Sequence, residues 1–171
     1  MAHAVKYIVV LALLKAIDAH VHIDSIQLCE QKEYPIMWKV ELQDSADDQI
    51  ISLGAMDSKV NIDNDVLNRL LIYQKEGDKW NLFINKTDGT CKITEMFLGD
   101  FIKSLENAAG LKQTCPYPAG KYEIHNHPLD FSKFKYRDFP PGTLKIRSEF
   151  FPKSAEATEL GCYEVEFTLS K

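Results

Sequence analysis

The segment that ends the chain constrains its fold most tightly. Over 162–170, Tyr163, Val165, Phe167 and Leu169 alternate with Glu164, Glu166 and Thr168. A repeat of two is that of an extended strand, whose successive side chains point to opposite faces. One dry face and one wet face mark a strand of an antiparallel sheet packed on one side. The segment 36–42 repeats the pattern, with Ile36, Trp38, Val40 and Leu42 set against Met37, Lys39 and Glu41. Further strands are predicted over 21–28, where Ser25-Ile26 breaks the register, and over 50–56, 60–62, 121–126 and 143–151. The apolar run 66–75 leads into Glu76-Gly77-Asp78, a hairpin turn signal, and 80–86 returns from it.

One segment departs from period two. Ile93, Phe97, Phe101 and Leu105 recur at helical spacing, with Met96, Leu98 and Ile102 beside them. This predicts an amphipathic helix over 93–105, capped by Thr90 or Thr94 and stopped by Gly110. Gly99 inside it costs about 1 kcal/mol relative to Ala. About eight strands and one inserted helix make a mainly β, antiparallel sandwich or cup, built as one domain over 20–171.

The first nineteen residues do not belong to that domain. Lys6 precedes an apolar stretch over 8–14, and Ala19 is small enough for a cleavage site, so 1–19 reads as a signal peptide, with a buried core helix as the alternative. The apolar run is far short of the ~20 residues that cross a bilayer. Cleavage after Ala19 removes two lysines and one aspartate and moves the net charge from −5 to −6. An acidic chain lacks the basic surface that tracks phosphates, so nucleic acid is excluded as a general partner. Cys29, Cys91, Cys115 and Cys162 remain. An even number in an exported chain predicts two disulfides, which spacing alone leaves in three possible pairings. The alternative, a zinc site, lacks any C-x-x-C pair. Asn85-Lys86-Thr87 is a sequon, which makes Asn85 a candidate glycan acceptor at the surface. The expected location is extracellular, with the lysosome as the alternative.

No catalytic motif stands out. The pairs His20/His22 and His125/His127 would each share a strand face, but no Asp or Glu is spaced to complete a metal site, so no metal or other cofactor is expected. A calcium loop beginning at Asp57 would place Ile62 and Asn68 where Gly and Glu are needed. There is no G-x-S-x-G elbow, and the cysteines suit disulfides better than nucleophilic roles, so an enzyme is not expected. The segment 128–142 is more informative. It carries Leu129, Phe131, Phe134, Tyr136 and Phe139 among three prolines. A loop so apolar either plugs the core or forms a sticky rim. The rings of Phe131, Phe134, Tyr136 and Phe139 are interleaved with Lys133, Lys135 and Arg137. That pattern suits a lip that docks on anionic membrane. The competing expectation is that the rings fold inward and only the cations meet water.

The stretch Cys115-Pro116-Tyr117-Pro118-Ala119-Gly120-Lys121-Tyr122 resembles the Cys-Pro-aromatic-x-x-Gly-x-Tyr segment of the lysosomal ganglioside activators, the sphingolipid activator family. The loop 128–141, the strand after Gly142 and Leu160-Gly161-Cys162 follow in the family's order. Upstream, Trp80-Asn81-Leu82-Phe83-Ile84 and the helix after Gly89-Thr90-Cys91 also match it. The resemblance covers about 50–171. With four cysteines rather than the eight of the mammalian activators, the chain looks nearer the secreted insect relatives, which include the CheB-type chemosensory proteins.

This resemblance implies a β-cup whose apolar cavity holds lipid acyl chains, and a function as a carrier or presenter of lipid, with a glycosidase as the implied partner. The second reading is a chemosensory accessory or receptor-interaction domain that binds a small hydrophobe such as a pheromone. Under the first reading, the cavity lining falls to Trp38, Val40, Leu53, Leu71, Leu82, Ile124, Ile146, Phe150, Val165 and Phe167. The family's pairing implies disulfides Cys29–Cys162 and Cys91–Cys115. With Asn85 turned to solvent, alternation puts Trp80, Leu82 and Ile84 inward.

Overall fold

A computed structural model describes residues 20–45, 49–111 and 114–170, so the 1–19 segment, Asp47 and Asp48 lie outside the described residues. Among the described residues, eight segments form strands: β1 (His20–Leu28), β2 (Ile36–Asp44), β3 (Gln49–Ser58), β4 (Val66–Glu76), β5 (Lys79–Gly89), β6 (Gly120–Pro128), β7 (Gly142–Pro152) and β8 (Gly161–Ser170). The segment 60–62 is not one of them. Its Ile62 makes a single antiparallel bridge to Tyr117. All pairings are antiparallel, in a five-stranded sheet ordered β1-β8-β7-β4-β5 and a three-stranded sheet ordered β2-β3-β6. The two sheets do not close into a barrel.

The sheets pack through their apolar faces. At one end Ile36 of β2 joins Val66, Phe150, Leu160 and Tyr163 in one buried cluster. The Ile36 N–H donates to the Leu160 carbonyl at 2.8 Å. The Tyr163 hydroxyl bridges the sheets, accepting from the Trp38 N–H and donating to the Ile36 carbonyl at 2.9 Å. Burial pushes the Tyr163 phenol above its ordinary pKa, so it stays protonated and able to donate. At the other end the buried Gln49 amide meets both backbone groups of Ile23, accepting from its N–H at 2.7 Å and donating to its carbonyl at 3.0 Å. This satisfies β1 beside the bulge between Ile23 and Ser25. Cys29–Cys162 ties β1 to β8, and Cys91–Cys115 ties the first helix to the segment entering β6.

Instead of one helix over 93–105 there are two, α1 (Thr90–Phe97) and α2 (Asp100–Ala108). Neither Thr90 nor Thr94 caps α1. Gly89 stands at its N-cap, and the Thr90 hydroxyl donates to the Val66 carbonyl at 2.7 Å. The break falls at Gly99, whose φ of +56° suits glycine. The two helices face different sheets: Ile93 and Phe97 pack on Leu70 and Ile72 of the five-stranded sheet. Phe101 packs on Ile51 of the three-stranded sheet, with Leu98 and Leu105 alongside. A straight helix could not bury its stripe against both, and the turn at Gly99 redirects it. Gly110, with φ of +72°, ends α2.

Candidate functional site

The facing interiors of the two sheets form the candidate site. On the five-stranded sheet, the inward residues of β7 are Leu144, Ile146, Ser148 and Phe150, and those of β8 are Tyr163, Val165, Phe167 and Leu169. The ladder sets Ile146 opposite Val165 on one side and opposite Ile72 on the other. Their burial is uneven along the strands. Leu144, Phe150, Tyr163, Phe167 and Leu169 are buried, whereas Ile146 and Val165, midway between them, are only half-buried. On the facing sheet Val40 and Ile124 are half-buried, and Trp38 keeps 38% of its surface exposed. Trp38 stacks on Tyr163 at 4.9 Å between ring centres and meets the edge of Phe150 at 5.8 Å.

Seven of the ten expected lining residues therefore face inward: Trp38, Val40, Ile124, Ile146, Phe150, Val165 and Phe167. Phe150 and Phe167 are already packed shut. The other three point away from the interior. Leu53 stands opposite Glu41 and His125 on the outer face, while the bulge at Ser52 returns Ile51 to the core. Leu71 pairs with Arg147 on the outer face, because the inward set of β4 is Val66, Asn68, Leu70 and Ile72. Leu82 lies opposite Tyr73, outward and 54% exposed. A bulge beside Ile72/Tyr73 leaves Phe83 unpaired, so Ile84 faces inward while Trp80 and Leu82 face out. Simple alternation through Ile84 misses this, because one extra residue inverts everything beyond it.

The outer face of the five-stranded sheet is an ion lattice. Arg147 reaches Glu149 at 2.8 Å and Glu164 at 3.0 Å, Lys145 reaches Glu166 at 2.8 Å, and Arg69 reaches Glu149 at 3.1 Å. The Lys145 ammonium lies over the Trp80 ring at 4.5 Å. Phe151 is on this face yet 4% exposed, under the Arg69 guanidinium. Being outward does not leave it exposed. Asn85 also faces out, exposed on the edge strand β5.

The rings of the apolar loop turn inward. Phe131 and Phe134 pack on Phe101 of α2 at 5.7 and 4.5 Å, Tyr136 on Phe97 of α1 at 5.2 Å, and Phe139 on Phe167 of β8 at 5.9 Å. All four rings are half-buried, and Leu129 is fully buried. The cations face water, with Lys135 paired to Glu95 at 2.9 Å and Lys133 to Asp130 at 3.2 Å. Arg137 donates to the Ser132 carbonyl. The loop is a flap of aromatics laid across both helices and reaching the end of the interior. The Lys135 ammonium holds the Glu95 carboxyl below its ordinary pKa, and the Ser132 hydroxyl followed by Lys133 does the same for Asp130.

The histidines of β1 and β6 stay apart from this interior. His127 meets Ser104 of α2 at 3.0 Å, and His125 meets Glu123 at 3.3 Å, since the left-handed Asn126 between them upsets their shared face. His22 lies beside Asp24 and Asp44 at 3.2 and 3.4 Å. No group of three His, Cys, Asp or Glu side chains that could hold a metal occurs among the described residues. An open depression of about 500 Å³ lies at the packed end, lined by Val60, Asp63, Val66, Pro152, Lys153 and Leu160 among others. It includes none of the expected lining residues.

Sequence reasoning overlooked Asn68, a carboxamide on the inward face of β4, only 5% exposed. The signal was present, because Asn68 interrupts the parity of Val66, Leu70 and Ile72. No protein-family model matches the chain, and no curated protein does either.

Proposed function

We propose that this is a secreted lipid carrier that holds an acyl chain or a comparable hydrophobe between its two sheets and delivers or presents it. The observation behind this reading is the inverted burial of the interior. The middle of a filled sandwich is its driest part, packed at crystal-like density. Here Ile146 and Val165 are in the middle and are less buried than Leu144, Phe150, Tyr163 and Phe167 on either side. Val40 and Ile124 face them from the other sheet in the same half-buried condition, and Trp38 beside them is 38% exposed. A chain laid there gains about 0.8 kcal/mol for each methylene removed from water. The aromatic flap is the entry door in this account, since it rests on the helices and its end meets Phe167.

Export is supported by two disulfides, which persist in oxidising compartments. None of the helices among the described residues is long and apolar enough to cross a membrane. The resemblance of 115–122 to the ganglioside activators supports the same reading, with a glycosidase or a receptor as the recipient. The test is native mass spectrometry of the protein purified from its own secretions. A retained hydrophobic mass that leaves on denaturation is expected. A Val165→Trp variant, which fills the middle of the interior, is expected to emerge empty while keeping its melting temperature. Secreted wild-type protein with no hydrophobic ligand, and none acquired from lipid vesicles, overturns the proposal.

A further inference from the structure

We infer that the interior prefers amphiphiles carrying a hydrogen-bond donor, such as a hydroxyl or an amide N–H, and that the Asn68 carboxamide reads that group. The inference rests on the carrier reading above and specifies its ligand class. Asn68 is 5% exposed, and its Oδ1 is shut from solvent with no hydrogen-bond partner among the described residues. Buried carbonyl oxygens nearly always have a donor, because leaving one without a donor costs free energy that folding does not recover.

The neighbours make that residue choice conspicuous. Val66 and Leu70 flank Asn68 on its own strand, and Phe150 stands opposite it on β7. All three are apolar and buried, so packing alone would be served by leucine. Polar residues share this face too: on β5 the half-buried Asp88 stands directly opposite Asn68, and Lys86 stands opposite Leu70. Ser148, half-buried, lies across the ladder from Leu70 and Tyr163, one inward position from Phe150 and one from Ile146. The Ser148 hydroxyl thus sits at the boundary between the packed end of the sandwich and its half-buried middle, and the Asn68 carboxamide lies one inward position further into the packed end. A ligand whose chain lies along Ile146 and Val165 would bring its polar end to this boundary. From there a ligand O–H or N–H meets the Asn68 Oδ1. An ester or ether, which only accepts, leaves that oxygen unmet, and sites built to bond a hydroxyl reject the analogue lacking it.

The test uses the delipidated full-length secreted protein and two probes, tetradecanol and its methyl ether, each displacing a bound fluorescent naphthylamine dye. Wild-type protein is expected to bind the alcohol about tenfold more tightly than the ether, the worth of one hydrogen bond. In Asn68→Leu the alcohol is expected to fall to the level of the ether, the ether affinity to stay unchanged, and the melting temperature to hold or rise. Asn68→Ala gives the same comparison if the leucine variant does not fold. Equal affinities in the wild type, a preference for the ether, or an alcohol preference that survives at position 68 each overturn the inference while leaving the carrier reading standing. Failure of both probes and of the dye to bind the wild type overturns the carrier reading itself, and this inference with it.

Discussion

Replacing Phe131 and Phe134 together by serine tests whether the aromatic loop is a core cover or a membrane lip. Both rings sit on Phe101, stacked at 5.7 Å and edge-on at 4.5 Å, and they meet each other at 5.5 Å. Truncating a fully buried phenylalanine costs about 3–5 kcal/mol. These two are half-buried, which brings each to about 2 kcal/mol, and the loss of their aromatic pairing adds about 1 kcal/mol. The rings touch, so the single-variant costs will not simply add, and a double-mutant cycle is the right design. A total near 5 kcal/mol corresponds to a fall of roughly 10–20 °C in melting temperature for a domain of this size. The assay is thermal unfolding followed by circular dichroism on the wild type, both single variants and the double variant, with binding to anionic vesicles measured in parallel. A double variant that melts within about 2 °C of the wild type, well inside the shift expected for lost core aromatics, while losing its vesicle binding, would refute the inward packing and restore the lip.

Three other outcomes follow from the same contacts. Tyr163→Phe removes the hydroxyl that serves the Trp38 N–H and the Ile36 carbonyl, and is expected to cost about 1–3 kcal/mol in urea unfolding with no change in slope. An unaltered midpoint would mean that the sheets are not pinned there. Glu95 and Asp130 have pKa values lowered in the folded state, so their contribution is present above the ordinary carboxylate range and is lost as pH falls through the lowered values. Hydrogen-exchange protection factors over 131–139 should therefore fall as the pH is taken below about 4, and Lys135→Ala should lower them already at neutral pH. Protection independent of both would show that these ion pairs do not hold the flap. Serine substitution of Cys29 with Cys162 is expected to cost about 5 kcal/mol, and of Cys91 with Cys115 about 3.5 kcal/mol, on the chain-entropy account. The separations are 133 and 24 residues. The reverse order in melting temperature would contradict that account.

The elements readable along the chain are those whose signal is local. The alternation of β8 and β2 announced strands and their dry faces, because side-chain direction in an extended backbone depends only on parity. That parity placed Val165, Phe167, Ile146 and Phe150 inward without knowledge of any partner. The 3.6-residue spacing from Ile93 to Leu105 likewise announced a helical stripe. Other features depended on what lies across space. The stripe divides at Gly99 because its two halves meet different sheets. Leu71 looks interior because β4 is apolar on both faces, and only its pairing with Arg147 shows which face is wet. Leu82 turns outward through a bulge that exists only relative to β4. The loop rings turn inward because Phe97, Phe101 and Phe167 stand beneath them. Nothing in the loop's own composition distinguished a cover from a rim, since aromatic surface leaves water equally well against a core or a bilayer. Asn68 shows the same division: its polarity stood in plain view along β4, but only the packing of Val66, Leu70 and Phe150 around it left its oxygen buried without a donor.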